Sequence, residues 1–226
     1  MTMTKEERVE AERIRLAGMF EDQDEIADRA QTVFGVDEAG RGPLCGPVVA
    51  GCCILDKTRE ILWLNDSKKI SEKKRELIYE DVINNSLAYG IGIVSPERID
   101  EINILNATYE AMQDAYENCR RMYAELGYNA DEADTVVLVD GNKTVPGIRY
   151  RQTAVVKGDA KCPSISAASI LAKVTRDRMM IEYDKEHPEY GIAKHKGYGT
   201  KEHIEAIRKY GVTDIYRMSF LKNILK

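Results

Sequence analysis

No apolar run in this 226-residue chain approaches the roughly 20 residues that cross a bilayer, so a helical membrane protein is excluded. Zinc-type spacing is missing too. The five cysteines fall at 45, 52, 53, 119 and 162 with no C-x-x-C pair, and their odd number speaks against a disulfide framework. They read as small buried hydrophobes in a reducing cytoplasm. No secretory leader is expected, because Met1 to Glu12 is rich in Glu, Lys and Arg. Repeats and low-complexity tracts are also lacking.

With 43% hydrophobic and 31% charged residues, the chain can bury one good core and carry a small appendage. The formal net charge of −5 disfavours nucleic acid at first sight, yet it hides an asymmetry. Residues 1–139 hold 16 Lys and Arg against 28 Asp and Glu, whereas residues 140–226 hold 17 against 10. A basic C-terminal portion suits a phosphate-binding face, although charge blocks are more often plain solvated surface.

Residues 1–30 read as a separate helical extension, with Leu16, Met19 and Phe20 at helical spacing, in one helix or two broken near Gly18. From residue 31 onward the element types alternate. Strands are expected at about 32–37 and 47–55, paired across a Gly-Pro loop. Ser71 caps a helix, Leu87 to Val94 is a third strand, and Ser95-Pro96 starts a long helix running to about Leu126. Thr135 to Val139 is a buried strand ending on Asp140, and Arg149 to Val156 is another. Pro163 opens a helix of small residues, and short helices near Thr200 and Ser219 finish the chain. The result is an α/β fold, a mixed β-sheet flanked by helices, with a helical C-terminal portion.

The chemistry concentrates at strand ends. Asp37 and Glu38, Asp140, and Asp159 each follow an apolar run, so one edge of the sheet could collect all four carboxylates. Crowded carboxylates repel one another unless cations separate them. Oxygen donors without a nearby His or Cys favour Mg²⁺ or Mn²⁺ over zinc, and two such ions suit in-line phosphodiester cleavage. Successive strand residues face opposite sides, so Asp37 and Glu38 are expected to share a site only through a strand break between them. Any single Asp-Gly would be read as a turn cap; the whole set beside Gly40-Arg41-Gly42 is not.

Other signals point to nucleic acid. Asn65 to Lys69 is a polar loop entering a helix, whose donors could hold a backbone phosphate. Ser164, Ser166 and Ser169 lie in the first turns of a helix, where they bind anions or allow close helix–sheet packing. Tyr198 sits between two glycines in a basic loop and could pack on a sugar or base. His187 and His203 are expected at the surface.

Together these residues resemble the ribonuclease HII family of the ribonuclease H superfamily. The resemblance rests on Asp37 to Pro43, Asp66-Ser67-Lys68-Lys69, Asp140-Gly141-Asn142, Lys157-Gly158-Asp159, Ile165 to Asp177, and His195-Lys196-Gly197-Tyr198, and spans about residues 32–220. It implies a ribonuclease H-like catalytic domain over residues 31–226. The implied enzyme is a monomeric, cytoplasmic, metal-dependent endonuclease that cuts the RNA strand of RNA–DNA hybrids. It also implies incision 5′ of ribonucleotides embedded in duplex DNA. Asp37, Glu38, Asp140 and Asp159 would be the metal centre; Gly40, Arg41 and Gly42 would read the 2′-hydroxyl, the group that separates RNA from DNA. Tyr198 would pack on the adjoining sugar, with Ser67, Lys68 and Ser166 as further substrate contacts. The alternatives are a ribonuclease HIII-like nuclease, for which 30 helical residues are too small an N-terminal domain, and a non-catalytic nucleic-acid-binding protein of the same fold.

Overall fold

The computed structural model describes residues 3–225; residues 1, 2 and 226, the outer ends of the two regions expected above, lie outside the described residues. Five strands form one sheet in the order β3-β2-β1-β4-β5: β1 (Thr32–Ala39), β2 (Val48–Leu55), β3 (Ser86–Val94), β4 (Thr135–Asp140) and β5 (Arg151–Val155). β2 runs antiparallel to β1 and β3, while β1, β4 and β5 are mutually parallel. The continuous apolar runs of β1, β2 and β4 are what a strand covered on both faces requires.

Two long helices provide the cover. α3 (Pro96–Glu125) packs on the face that presents Phe34, Val36, Val137 and Val139. α4 (Pro163–Glu186) packs on the opposite face, against Val33, Val136 and Leu138 through Ile165. Both helices approach within backbone contact. A Cβ on Gly51 would collide with the Ala168 carbonyl, and one on Gly92 with the Ala111 carbonyl. Small residues at these crossings let each helix lie flat on the sheet.

α3 is not one straight helix. Asn103 takes a left-handed φ of 68°, and its side chain accepts from the backbone N–H groups of Leu105 and Asn106 at 3.0 and 3.2 Å. It therefore ends one helix and caps the next, a role suited to a short polar side chain. The second half carries Leu105, Thr108, Tyr109 and Met112 along the end of the sheet.

α1 (Lys5–Ile26) is unbroken through Gly18 and starts with a capping box on Thr4 and Glu7. Leu16 enters a cluster with Ile61, Leu64 and Ile170, and Phe20 packs against it. Gln23, buried, accepts from the Ser164 backbone N–H at 3.0 Å and from its hydroxyl at 2.8 Å. That is a cap for α4 supplied from another helix. α2 (Glu72–Asn85) begins after Ser71 as expected, although that hydroxyl makes no capping bond. The C-terminal portion comprises α5 (Ile192–His195), α6 (Lys201–Tyr210) and a last segment closed by a turn at Met218–Phe220.

Candidate active site

The three parallel strands deliver their C-terminal ends to one edge, where open α/β sheets bind ligands. Val36 is in register with Val139, so Asp37 and Asp140 are neighbours across β1 and β4, both on the α4 side. Past β5 the chain turns at Lys157, in a left-handed conformation, and Gly158 donates its N–H to Asp140 Oδ1 at 2.7 Å. Asp159 follows in that turn.

The strand does not break between Asp37 and Glu38, contrary to the expectation from side-chain alternation. β1 continues to Ala39, with Glu38 opposite Ala50 and Ala39 opposite Val49. The two carboxylates start from opposite faces and meet because the sheet ends there. Glu38 belongs to both of two adjoining cavities. One, of about 430 Å³, is lined by Asp37, Gly40, Arg41, Gly42, Ser67, Lys68, Lys173 and Tyr198. The other, of about 300 Å³, is lined by Asp140, Asn142, Lys143 and the second half of α3.

The electrostatics are those of an anion cluster. Burial first, then Glu38 and Asp140, push the Asp37 carboxyl well above its ordinary range. The Ser169 hydroxyl, hydrogen-bonded to Ser67 at 2.8 Å, and the Glu38 N–H at 2.7 Å pull it partly back. Glu38 is raised by burial and by Asp140, against Arg41 at 3.5 Å and Lys68. Asp159 is raised by burial, Asp66 and Asp140. The largest influences on Asp37 include no cation, and the hydrogen bonds from Glu38 and Ser169 are what favour its charged form.

Among the described residues, no three His, Cys, Asp or Glu side chains close on a single point as they stand. The donor set nevertheless fits a hard divalent cation: four carboxylates at one strand edge, with one of them buried and unneutralised.

The residues expected to face the substrate divide. Gly42 and Lys68 are exposed, and Tyr198 is 48% exposed beside Gly42. Ser67 is buried but lines the larger cavity. Ser166 is a correction. It is fully buried and its hydroxyl donates to the Asn65 carbonyl at 3.0 Å, so it steadies the loop before Ser67 and does not face the cavity. Ser164 is likewise spent on Gln23, whereas Ser169, bonded to Ser67, lines the larger cavity beside Asp37. His203, expected at the surface, is completely buried, and His187 is half-buried.

The glycine loop is held from behind by two buried arginines. Arg217 donates to the carbonyls of Gly40, Arg41, Pro43 and Gly46 at 2.7–3.1 Å. Arg176, from α4, donates to those of Cys45, Pro47 and Lys196 at 2.9–3.1 Å. The model of the family described as ribonuclease HII matches residues 34–223, which contain every one of these elements.

The chain belongs to the ribonuclease HII family. A ribonuclease HII of Clostridioides difficile is 53% identical over 96% of this chain and 80% of its own length. One of Caldicellulosiruptor bescii is 51% identical over 85% and 88%. The crystal structure of the ribonuclease H2 from Pyrococcus horikoshii superposes with a TM-score of 0.67 at 29% identity, covering 86% of this chain and 97% of that one. Membership makes the chain a ribonuclease H, an endonuclease that hydrolyses RNA in RNA–DNA hybrids. It sets aside the ribonuclease HIII-like alternative.

Proposed function

We propose that this ribonuclease, besides cutting continuous hybrids, incises duplex DNA on the 5′ side of an embedded ribonucleotide, leaving a 3′-hydroxyl and a 5′-phosphate. The observation that carries this reading is the shared cavity. Asp37, Glu38, Gly40, Arg41, Gly42 and Tyr198 line the same cavity. A cleavage centre and a surface able to touch a single sugar thus lie within one nucleotide's reach.

Asp37, Glu38, Asp140 and Asp159 are assigned to hold two divalent ions, Mg²⁺ or Mn²⁺. Bound there, the ions would activate the attacking water and offset charge on the departing 3′-oxygen. The backbone of Gly40 and Gly42 reads the 2′-hydroxyl, and at Gly42 no Cβ keeps the sugar away. Lys68 and the Ser67 loop hold a backbone phosphate, and Tyr198 packs on the adjoining sugar. All these groups come from one chain, which supports a monomer with residues 31–226 as catalytic domain and residues 1–30 as an accessory extension. No helix of the described residues is long and apolar enough to cross a membrane. Five buried free thiols accord with a cytoplasmic enzyme.

The test is nicking of a duplex that contains one ribonucleotide, with and without Mg²⁺, beside an all-DNA duplex and a continuous hybrid. Metal-dependent incision 5′ of the ribonucleotide is expected. Cleavage of the hybrid alone would overturn the embedded-ribonucleotide reading.

A further inference from the structure

Tyr198 stands on a strained loop. Lys196 and Gly197 before it both have left-handed φ, 51° and 85°. A non-glycine residue in that region costs free energy unless its surroundings hold it. A Cβ on Gly197 would press on the Cys45 carbonyl, so this loop is also seated against the glycine loop, with Leu44 N–H donating to Gly197 O at 2.8 Å.

Two imidazoles grip the loop. The rings of His195 and His203 stack with centroids 4.1 Å apart and planes 21° from parallel. Their protonation follows from their partners. His203 Nδ1 lies 2.9 Å from the Tyr198 carbonyl, which can only accept, so Nδ1 carries the proton. In the neutral ring Nε2 then accepts from the Tyr216 hydroxyl at 2.9 Å. His195 is the opposite tautomer. Nε2 donates to the Tyr190 carbonyl at 2.9 Å, and Nδ1 accepts the Gly197 N–H at 3.2 Å. Burial favours the neutral form of His203, and stacked neutral rings avoid the repulsion that two imidazolium ions would suffer. Tyr216 lies in the C-terminal segment, bridged to Cys45 and followed by Arg217, which holds the glycine loop.

We propose that His203, held in one tautomer by the Tyr198 carbonyl, anchored at Nε2 by the Tyr216 hydroxyl and stacked on His195, is the positioning residue for Tyr198. It sets where that aromatic stands relative to Gly42, and hence how the enzyme grips the sugar beside the cleavage point. The proposal rests on the reading of Tyr198 as a substrate contact. His203 touches no substrate itself; it acts through the backbone of Tyr198.

A double-mutant cycle on the full-length chain tests it, with the single-ribonucleotide duplex as substrate and Mg²⁺ at saturation. The variants are Tyr198→Ala, His203→Leu, His203→Asn and their pairings. Tyr198→Ala is expected to lower kcat/KM about ten- to a hundredfold, as loss of a stacking aromatic does. His203→Leu should lose a similar factor, and His203→Asn, whose amide can still donate to Tyr198 O, should recover most of it. The pair Tyr198→Ala with His203→Leu should be no worse than Tyr198→Ala alone. A merely structural histidine would give multiplied losses, and that result overturns the proposal. Should His203→Leu fail to fold, Tyr216→Phe carries the same cycle, because it removes the hydroxyl that anchors the ring at Nε2 and so loosens its hold on Tyr198. A damaging Tyr198→Ala with harmless His203→Leu and Tyr216→Phe refutes the positioning role only. A harmless Tyr198→Ala refutes the reading of Tyr198, and the proposal with it.

Discussion

The Arg217 guanidinium donates to the Gly40 carbonyl at 2.7 Å, joining the C-terminal segment to the first glycine of the Gly40-Arg41-Gly42 loop. Gly40 has a φ of 96°, and a Cβ there would run into the Arg176 side chain and the Pro47 carbonyl. The loop owes its shape to this arrangement: glycine where a side chain cannot fit, and two buried cations whose donors satisfy its carbonyls. Burial and the neighbouring Arg176 lower the Arg217 pKa to about 9.

Arg217→Lys should therefore behave as a severe change. Lysine offers a point charge where a planar fork meets four carbonyls, and the abandoned acceptors stay buried. A loss of roughly 3–5 kcal/mol in unfolding free energy is expected, the range seen when a buried charged network is broken. Denaturant melts of the variant check this; stability within experimental error of the wild type would show the loop is held by other means.

The two glycines of the loop separate fold from substrate. Gly42 has an ordinary φ, and an added Cβ would meet only Tyr198 Cε1 at 3.6 Å, a normal contact. Gly42→Ala should melt like the wild type yet cleave the single-ribonucleotide duplex poorly, because the methyl stands where the sugar approaches. Gly40→Ala should lose stability first. Melting curves and cleavage rates for both variants, at fixed salt because phosphate contacts are salt-sensitive, test the assignment. Equal cleavage by Gly42→Ala and wild type would mean the sugar is read elsewhere.

Much of this was legible in the sequence, and the misses share a cause. Strands that carry Asp37 and Asp140 to one edge follow from apolar runs meeting a carboxylate, although β1 runs on to Ala39. The kink at Asn103 is invisible to periodicity, because the apolar spacing continues on both sides of it. Arg176 and Arg217 count as two of the 17 basic residues that suggested a phosphate-binding face, yet they are 1% and 0% exposed and bind backbone. His203 and Ser166 failed for the same reason. A polar residue type predicts exposure only until the fold supplies it with partners, and those partners lie 13 and 101 positions away.

The carboxylate cluster predicts opposite effects with and without metal. Asp37→Asn and Asp140→Asn should each lower cleavage by roughly a thousandfold or more, the scale of the several kcal/mol a metal centre supplies. In metal-free protein the sign for stability reverses. The folded pKa of Asp37 lies above its ordinary 3.8, so the folded state takes up a proton before the unfolded chain does. Ionised Asp37 thus costs stability at neutral pH, and that cost fades as pH falls through the folded value. Asp37→Asn should melt higher than the wild type in EDTA and lose that advantage when Mg²⁺ is added. A lower melting temperature in EDTA would mean that the buried charge is stabilised by its hydrogen bonds.

Gln23 links α1 to the catalytic sheet. Gln23→Ala removes the acceptor of two buried Ser164 donors, at an expected cost of about 2 kcal/mol. The single-turnover cleavage rate should be unchanged, since no carboxylate of the site moves. Deleting residues 1–30 should cost more stability than this single change while sparing the chemical step. Loss of that step in a folded core would assign α1 to the site.

His203 gives a pH signature that can be isolated. Burial lowers its pKa from 6.5 to about 4. Between those values the unfolded chain binds a proton that the folded protein refuses, so unfolding is favoured as pH falls through that window. The contribution is complete above 6.5 and lost towards 4, with a full span on the order of 3 kcal/mol. Asp37, Glu38 and Asp159 have raised values and act with the opposite sign, so the wild-type profile alone is a mixture. The informative quantity is the difference in unfolding free energy between wild type and His203→Asn. Their carboxylates are the same and cancel. Any advantage of the wild type should shrink steadily as the solution is taken from neutrality towards pH 4, because only the wild type has an imidazole to protonate on unfolding. Parallel profiles for the two proteins would show that the ring accepts its proton in the folded state, and that the single tautomer bridging Tyr216 to Tyr198 is not enforced.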